Sequence, residues 1–266
     1  MTEQELKEIL MMTLKNKGEL SDNLILHMIT HIGSTDPVLR DELIYQVFGK
    51  YVTENRLSDS QLNLITEQLL TQKKLLSGIN QPVSDDVFTR SFSALVFALL
   101  LKQDHESRFL SKDYFKRIIK EVHDYVVFEN DLRGYVRDKG WAHAAAHAAD
   151  LLKAIVLHPL TGDGELRLVI KGVEHFLIFA PGYHDEEEER LAIAFLAYTT
   201  RFELDGWLID LQELIREVLF HSGSLPDLER YRVKTSLKFF LQALFFKIDE
   251  DSARSYLEHQ IVNLMN

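Results

Sequence analysis

Two imidazoles and a carboxylate are the first residues here whose types and spacing could do chemistry. His143, His147 and Asp150 stand four and then three apart in DLRGYVRDKGWAHAAAHAADLL, residues 131–152. On a helix, such positions project from one face. Paired histidines four apart are how a helix offers imidazole to zinc, so His143, His147 and Asp150 form a candidate metal set. The metalloprotease version of that motif needs a glutamate after the first histidine as general base, and Ala144 occupies that position. Three donors from one helix also rarely close around an ion. A remote donor is required, and His184 or Asp185 is the best placed. A competing reading is structural, with neutral histidines filling and hydrogen-bonding the gap between close-packed helices. A third keeps the same face as a ligand site without metal, because alanines leave room above the rings.

The lead-in to this stretch brings charge. Arg133, Tyr135, Arg137 and Lys139 precede a helix start expected near Trp141. Basic side chains beside the free N–H groups of a helix start suit a phosphate or a carboxylate. Gly134 and Gly140 permit a tight backbone, but the Lys-Ser/Thr ending of a phosphate-binding loop is missing. The plain alternative pairs Arg133 with a neighbouring acid and puts Trp141 in the core. Arg90, near Asp85 and Asp86, reads either as a ligand contact or as an ion pair between stacked units. His184 and Asp185 lead into four glutamates, 186–189, which suit the positive end of a helix and read as a solvated turn. No nucleophile elbow, kinase set, dinucleotide fingerprint or complete calcium loop occurs, and no cofactor is indicated.

The elements that must position these residues are helices. Apolar residues recur at three- and four-residue spacing from end to end, and no stretch alternates long enough to make a sheet. Roughly twelve helices are predicted, near 2–17, 21–32, 35–53, 58–76, 84–103, 111–129, 140–157, 163–180, 184–203, 205–221, 226–247 and 250–265. Ser58 and Gln61 have the spacing of a capping box. Pro37, Pro82, Pro159, Pro181 and Pro226 all fall in breaks or at helix starts, where a missing N–H is harmless. An acid and an arginine recur four apart as Asp36/Arg40, Asp86/Arg90 and Glu186/Arg190. The starts lie 50 and then 100 residues apart, and the missing rung falls at Val136 to Gly140. The predicted fold is all-α: helical hairpins stacked as a HEAT-like α/α superhelix, with a closed α/α ring as the alternative.

At 266 residues, with 46% apolar and 27% charged, the chain can bury one sizeable core and is read as a single domain over 1–266. It has no cysteine, which excludes disulfides and thiolate metal sites and fits a reducing cytosol. The formal charge of −11, with scattered basic residues, disfavours nucleic acids and anionic membranes as partners. The N-terminal stretch lacks the apolar centre of a signal peptide, and the most apolar run, 94–101, is far too short for a bilayer. A cytoplasmic location is expected.

DDVFTRSFSALVFALLL (85–101), the 131–152 stretch with its Gly-Trp-Ala-His core, and DEEEERLAIAFLA (185–197) together resemble a bacterial family, domain-of-unknown-function family 2785. GSTDPVLRDELIY (33–45) and RYRVKTSLKFFLQALFFKI (230–248) fit it as well. The resemblance implies a helical, bacterial, cytoplasmic protein and carries over no catalytic residue. The residues themselves point to a scaffold that binds a peptide, a protein or a small polar or anionic ligand. Its face is centred on Trp141, His143, His147 and Asp150, with Arg90, Arg133, Tyr135, Lys139 and His184 as further contacts. The alternative is a hydrolase using His143 or His147 as base or metal ligand.

Overall fold

Alanine, leucine and the long charged side chains lose little freedom in a helix, and the apolar positions recur with its period. The chain accordingly folds into helices wherever that spacing holds. A computed structural model describes residues 1–16 and 18–265. Lys17, the expected end of the first helix, lies outside the described residues. Twelve α-helices are present among the described residues: α1 Glu3–Asn16, α2 Asp22–Thr30, α3 Gln46–Thr53, α4 Asp59–Thr71, α5 Asp86–Ser107, α6 Lys112–Phe128, α7 Ala144–Leu157, α8 Asp163–Ile178, α9 Glu187–Thr199, α10 Leu204–Ser222, α11 Asp227–Lys247 and α12 Asp251–Met265. The fold is all-α. Serine hydroxyls close the free N–H groups of three starts, Ser21 to Leu24, Ser58 to Gln61 and Ser111 to Tyr114, and Ser58 with Gln61 completes the expected capping box.

The helix expected over 58–76 ends at Thr71, with a separate 3-10 turn at Lys74–Leu76, and two further differences bear on the site. The first half of the segment expected as one helix over 35–53 is a π-helix, Val38–Tyr45. Its wider turn accommodates Arg40, which is fully buried and donates to the carbonyls of Ser34 at 2.7 Å and Lys139 at 2.8 Å. The second is a minimal antiparallel hairpin, β1 Tyr135–Val136 and β2 Gly140–Trp141, where a break and a helix start were expected. This hairpin occupies the missing rung of the acid–arginine recurrence.

Helices pack on their next-but-one neighbours. α3 meets α5, α5 meets α7, α7 meets α9 and α9 meets α11; α4 meets α6, α6 meets α8 and α8 meets α10. Apolar side chains from Leu6 to Leu257 join one continuous core. α7 runs through the middle of it, with Ala144 to Ala149 all buried, and the small side chains let its neighbours α5 and α9 approach closely. No helix among the described residues is long and apolar enough to cross a membrane.

The recurrent arginines do not pair with the acid four residues before them. Arg90 instead forms a two-pronged bond with Glu129, Nε to Oε2 at 2.6 Å and Nη2 to Oε1 at 2.8 Å, in a setting sealed from water. Arg190 crosses from α9 to Asp150 on α7. Asp36 turns to the N–H groups of Val38 and Leu39, and Asp86 to Ser77 and Ser84.

Candidate functional site

The site is assembled by the chain between α6 and α7. Glu129, fixed by Arg90, accepts the Asp131 N–H at 3.0 Å, and Asp131 in turn grips Arg133 through Nε and Nη2 at 2.7 and 2.6 Å. Arg133 also donates to the Ser84 carbonyl, and Lys139 is held by Asp85 at 2.7 Å. Arg133 and Lys139, two of the three cations expected to draw an anion, are therefore paired with protein acids, while Arg137 stays exposed. Arg90 is buried and bonded to Glu129, which ties α5 to the end of α6.

The hairpin is pinned where it turns back. Gly140 has φ +77°, and a Cβ there would come within 2.8 Å of Pro37 and 3.1 Å of the Arg40 guanidinium. After it, Ala142 N–H donates to the Gly134 carbonyl at 2.9 Å and His143 N–H to that of Arg133 at 3.1 Å. This holds His143 at φ +47°, a left-handed conformation costly for most side chains, directly before α7. The expectation that His143, His147 and Asp150 share one helical face is corrected here. The helix begins at Ala144, and His143 stands outside it as the cap.

That displacement gives His143 different company. Its ring lies against Trp141 with centroids 4.3 Å apart, and meets His147 edge-on at 5.9 Å. Its Nε2 is buried, has no hydrogen-bond partner, and lies 3.7 Å from Glu187 Oε1. Glu187, the first residue of α9, is only 2% exposed, and its Oε2 accepts the Asp185 N–H at 2.9 Å. Asp185 Oδ2 in turn faces the Tyr135 N–H at 3.3 Å. Gly134 makes the approach possible, since a Cβ there would fall 2.2 Å from Asp185 Oδ2 and 2.9 Å from Glu187 Oε1. One donor atom from each of His143, Asp185 and Glu187 lies within 4.8 Å of the other two, the one such imidazole–carboxylate group of three among the described residues.

The remaining predicted residues divide. Tyr135 and Trp141 flank the cluster, 59% and 38% exposed, and contact each other edge to face. His147 is 9% exposed, its Nδ1 has no hydrogen-bond partner, and its ring meets Phe92 at 5.1 Å. Burial holds the His147 imidazole well below its usual pKa, aided by His143, Arg190 and Arg40 nearby. Burial lowers His143 too, and Glu187 and Asp185 pull against it. Asp150 is taken by Arg190; burial raises its carboxyl while the guanidinium lowers it. It borders a separate cleft of 510 Å³ between α5 and α7, walled by Leu95, Leu99 and Leu157 and edged by Tyr45, Lys102 and Lys153. His184 is exposed and lies outside the cluster. The metal set expected from spacing thus does not assemble: Asp150 is bound to an arginine, and the donors that gather with His143 are Asp185 and Glu187. Of the remote donors named from sequence, Asp185 arrives and His184 does not.

Sequence reasoning missed Glu187, and it read Gly134 as a tight-backbone position without its contact with Asp185 and Glu187. Four consecutive acids looked like a solvated turn, yet Glu187 and Glu188 are both buried. The available signal was excess, because a helix start needs one or two acids and not four.

An all-α fold with an imidazole–carboxylate cluster beside exposed Tyr135 and Trp141 is the class of protein that fold and site define. The chain belongs to the family described as a protein of unknown function, DUF2785, whose profile matches residues 75–246 and so spans everything from the start of α5 to α11. No curated protein and no solved structure matches the chain.

Proposed function

We propose that this protein is a helical-hairpin scaffold that binds a small polar, positively charged ligand, or a peptide or protein bearing such a group, where the hairpin meets α7 and α9. The carrying observation is the cluster of His143, Asp185 and Glu187 under the exposed rings of Tyr135 and Trp141. Carboxylates and aromatic faces together favour a cation. The pairing of Arg133 with Asp131 and of Lys139 with Asp85 weakens the case for an anion there. Next-but-one helix packing supports stacked hairpins in a single domain over 1–266, with a superhelix as the simplest description. The net charge of −11 supports a partner other than nucleic acid or an anionic membrane, and the lack of cysteine fits the cytosol.

Trp141 reports on binding directly. In a Trp207→Phe background it is the sole tryptophan. Its emission is followed during titration with ammonium and guanidinium compounds, short lysine-rich peptides and divalent metal salts. A saturable change, lost in Asp185→Asn, is expected from at least one member. If no organic or inorganic cation produces one, the reading is wrong.

A second reading, a hydrolase, is favoured by one observation. His147 Nδ1 is unbonded and unprotonated beside His143, so it is free to accept a proton, although the burial that keeps it neutral also weakens it as a base. It predicts turnover of ester or phosphoester substrates that disappears in His147→Gln without loss of fold.

A further inference from the structure

We infer that the ligand is a first-row divalent metal ion, bound by His143 Nε2 and one carboxylate oxygen each from Asp185 and Glu187; this rests on the cation-binding reading above. A metal held at about 2.0–2.2 Å by such donors places their atoms roughly 3–4 Å apart. The 3.7 Å between His143 Nε2 and Glu187 Oε1 has that separation already, and the outer limit of 4.8 Å for the three requires only a small contraction. One imidazole with two carboxylates is a nitrogen–oxygen set suited to zinc, manganese or ferrous ions, and three protein donors leave a position open to water or substrate.

Charge and hydrogen bonding argue the same way. Neither Asp185 nor Glu187 is paired with a lysine or arginine among the described residues, although Glu187 is almost wholly buried. Two adjacent carboxylates so placed repel one another. His143 Nε2 is buried without a hydrogen-bond partner, 3.7 Å from Glu187 Oε1. An ion between the two gives that nitrogen a partner and offsets the carboxylate charge. The supporting shell is built from backbone: the Tyr135 N–H faces Asp185, the Asp185 N–H orients Glu187, and the Arg133 carbonyl fixes His143 in its left-handed turn. Gly134 keeps the space between them free of a Cβ.

The test uses full-length protein without a histidine tag, stripped with chelator and titrated with Zn²⁺ by calorimetry and with Mn²⁺ by water-proton relaxation. One ion per chain is expected. His143→Ala, Asp185→Asn and Glu187→Gln should each weaken binding by at least about 10–100-fold, the range that even changes behind the ligands produce. Asp150→Asn should leave it unchanged, because Asp150 serves Arg190. Should Glu187→Gln fail to fold, the partly exposed Asp185 carries the test with circular dichroism confirming the fold. Absence of stoichiometric binding by either ion overturns the assignment, as does binding indifferent to Asp185→Asn. Metal silence alongside a Trp141 response to organic cations removes the metal and leaves the cation-binding reading standing; silence from both removes both.

Discussion

Single buried charges set the pH response of this protein, and Glu121 is the clearest. Its Oε2 is buried without a hydrogen bond, and burial raises the carboxyl from 4.5 to about 7 in spite of Lys73 and Arg117. The folded state therefore keeps a proton that the unfolded chain loses near pH 4.5. Between that value and about 7 stability falls as pH rises, and above it the loss is complete. Glu121→Gln keeps the shape and removes the charge. It should raise Tm at pH 8 by about 2–4 °C, the response to roughly 1 kcal/mol in a chain of this size. At pH 5 calorimetry should find little gain, and an equal gain at both pH values would contradict this account. The Arg90–Glu129 pair tests the opposite case. Arg90→Met leaves Glu129 buried without its partner and should cost about 3–5 kcal/mol in denaturant melts. Adding Glu129→Leu should recover only part of it, because the Asp131 N–H loses its acceptor.

At the scale of elements, α7 is stabilised by being narrow. Ala145 and Ala146 are each 1% exposed, so Ala145→Leu must force backbone or rotamer shifts and should cost on the order of 1–3 kcal/mol. A melt identical to wild type would mean that the helices around α7 are not in close contact. The helix itself was legible in the sequence, since alanine propensity and apolar period both demand it. Its start was not. The pattern placed the helix from residue 140, but Gly140 and His143 adopt left-handed turns and the helix begins at Ala144. The register of the hairpin is set by Pro37 and Arg40, about a hundred residues away in the chain, and no local periodicity records such a contact. The same reason hid half the site. His143 could be singled out by its spacing, whereas Glu187 becomes a buried donor only because the segment before α9 closes on Gly134.

Across the whole molecule, the region matched by the family profile does not support its own site unaided. The match begins at residue 75, yet the hairpin that presents Trp141 and His143 leans on Arg40, which stacks on Phe88 and Phe92 of α5 at 4.2 and 4.8 Å. From there its guanidinium reaches the Lys139 carbonyl at 2.8 Å and the Trp141 carbonyl at 3.4 Å. The N-terminal helices thus act on the candidate site through one buried cation. Arg40→Ala leaves the Lys139 and Ser34 carbonyls without this donor and strands Asp41, at a cost of about 3–5 kcal/mol. A purely local hairpin would survive the change with Trp141 undisturbed, whereas one anchored from the N-terminal region would loosen. In a Trp207→Phe background, Arg40→Ala should therefore lower the melting temperature, shift Trp141 emission to the red and weaken cation binding, all in the full-length chain. If stability falls while emission and binding stay as they were, residues 131–143 hold their own shape, and the contact with Arg40 serves the core alone.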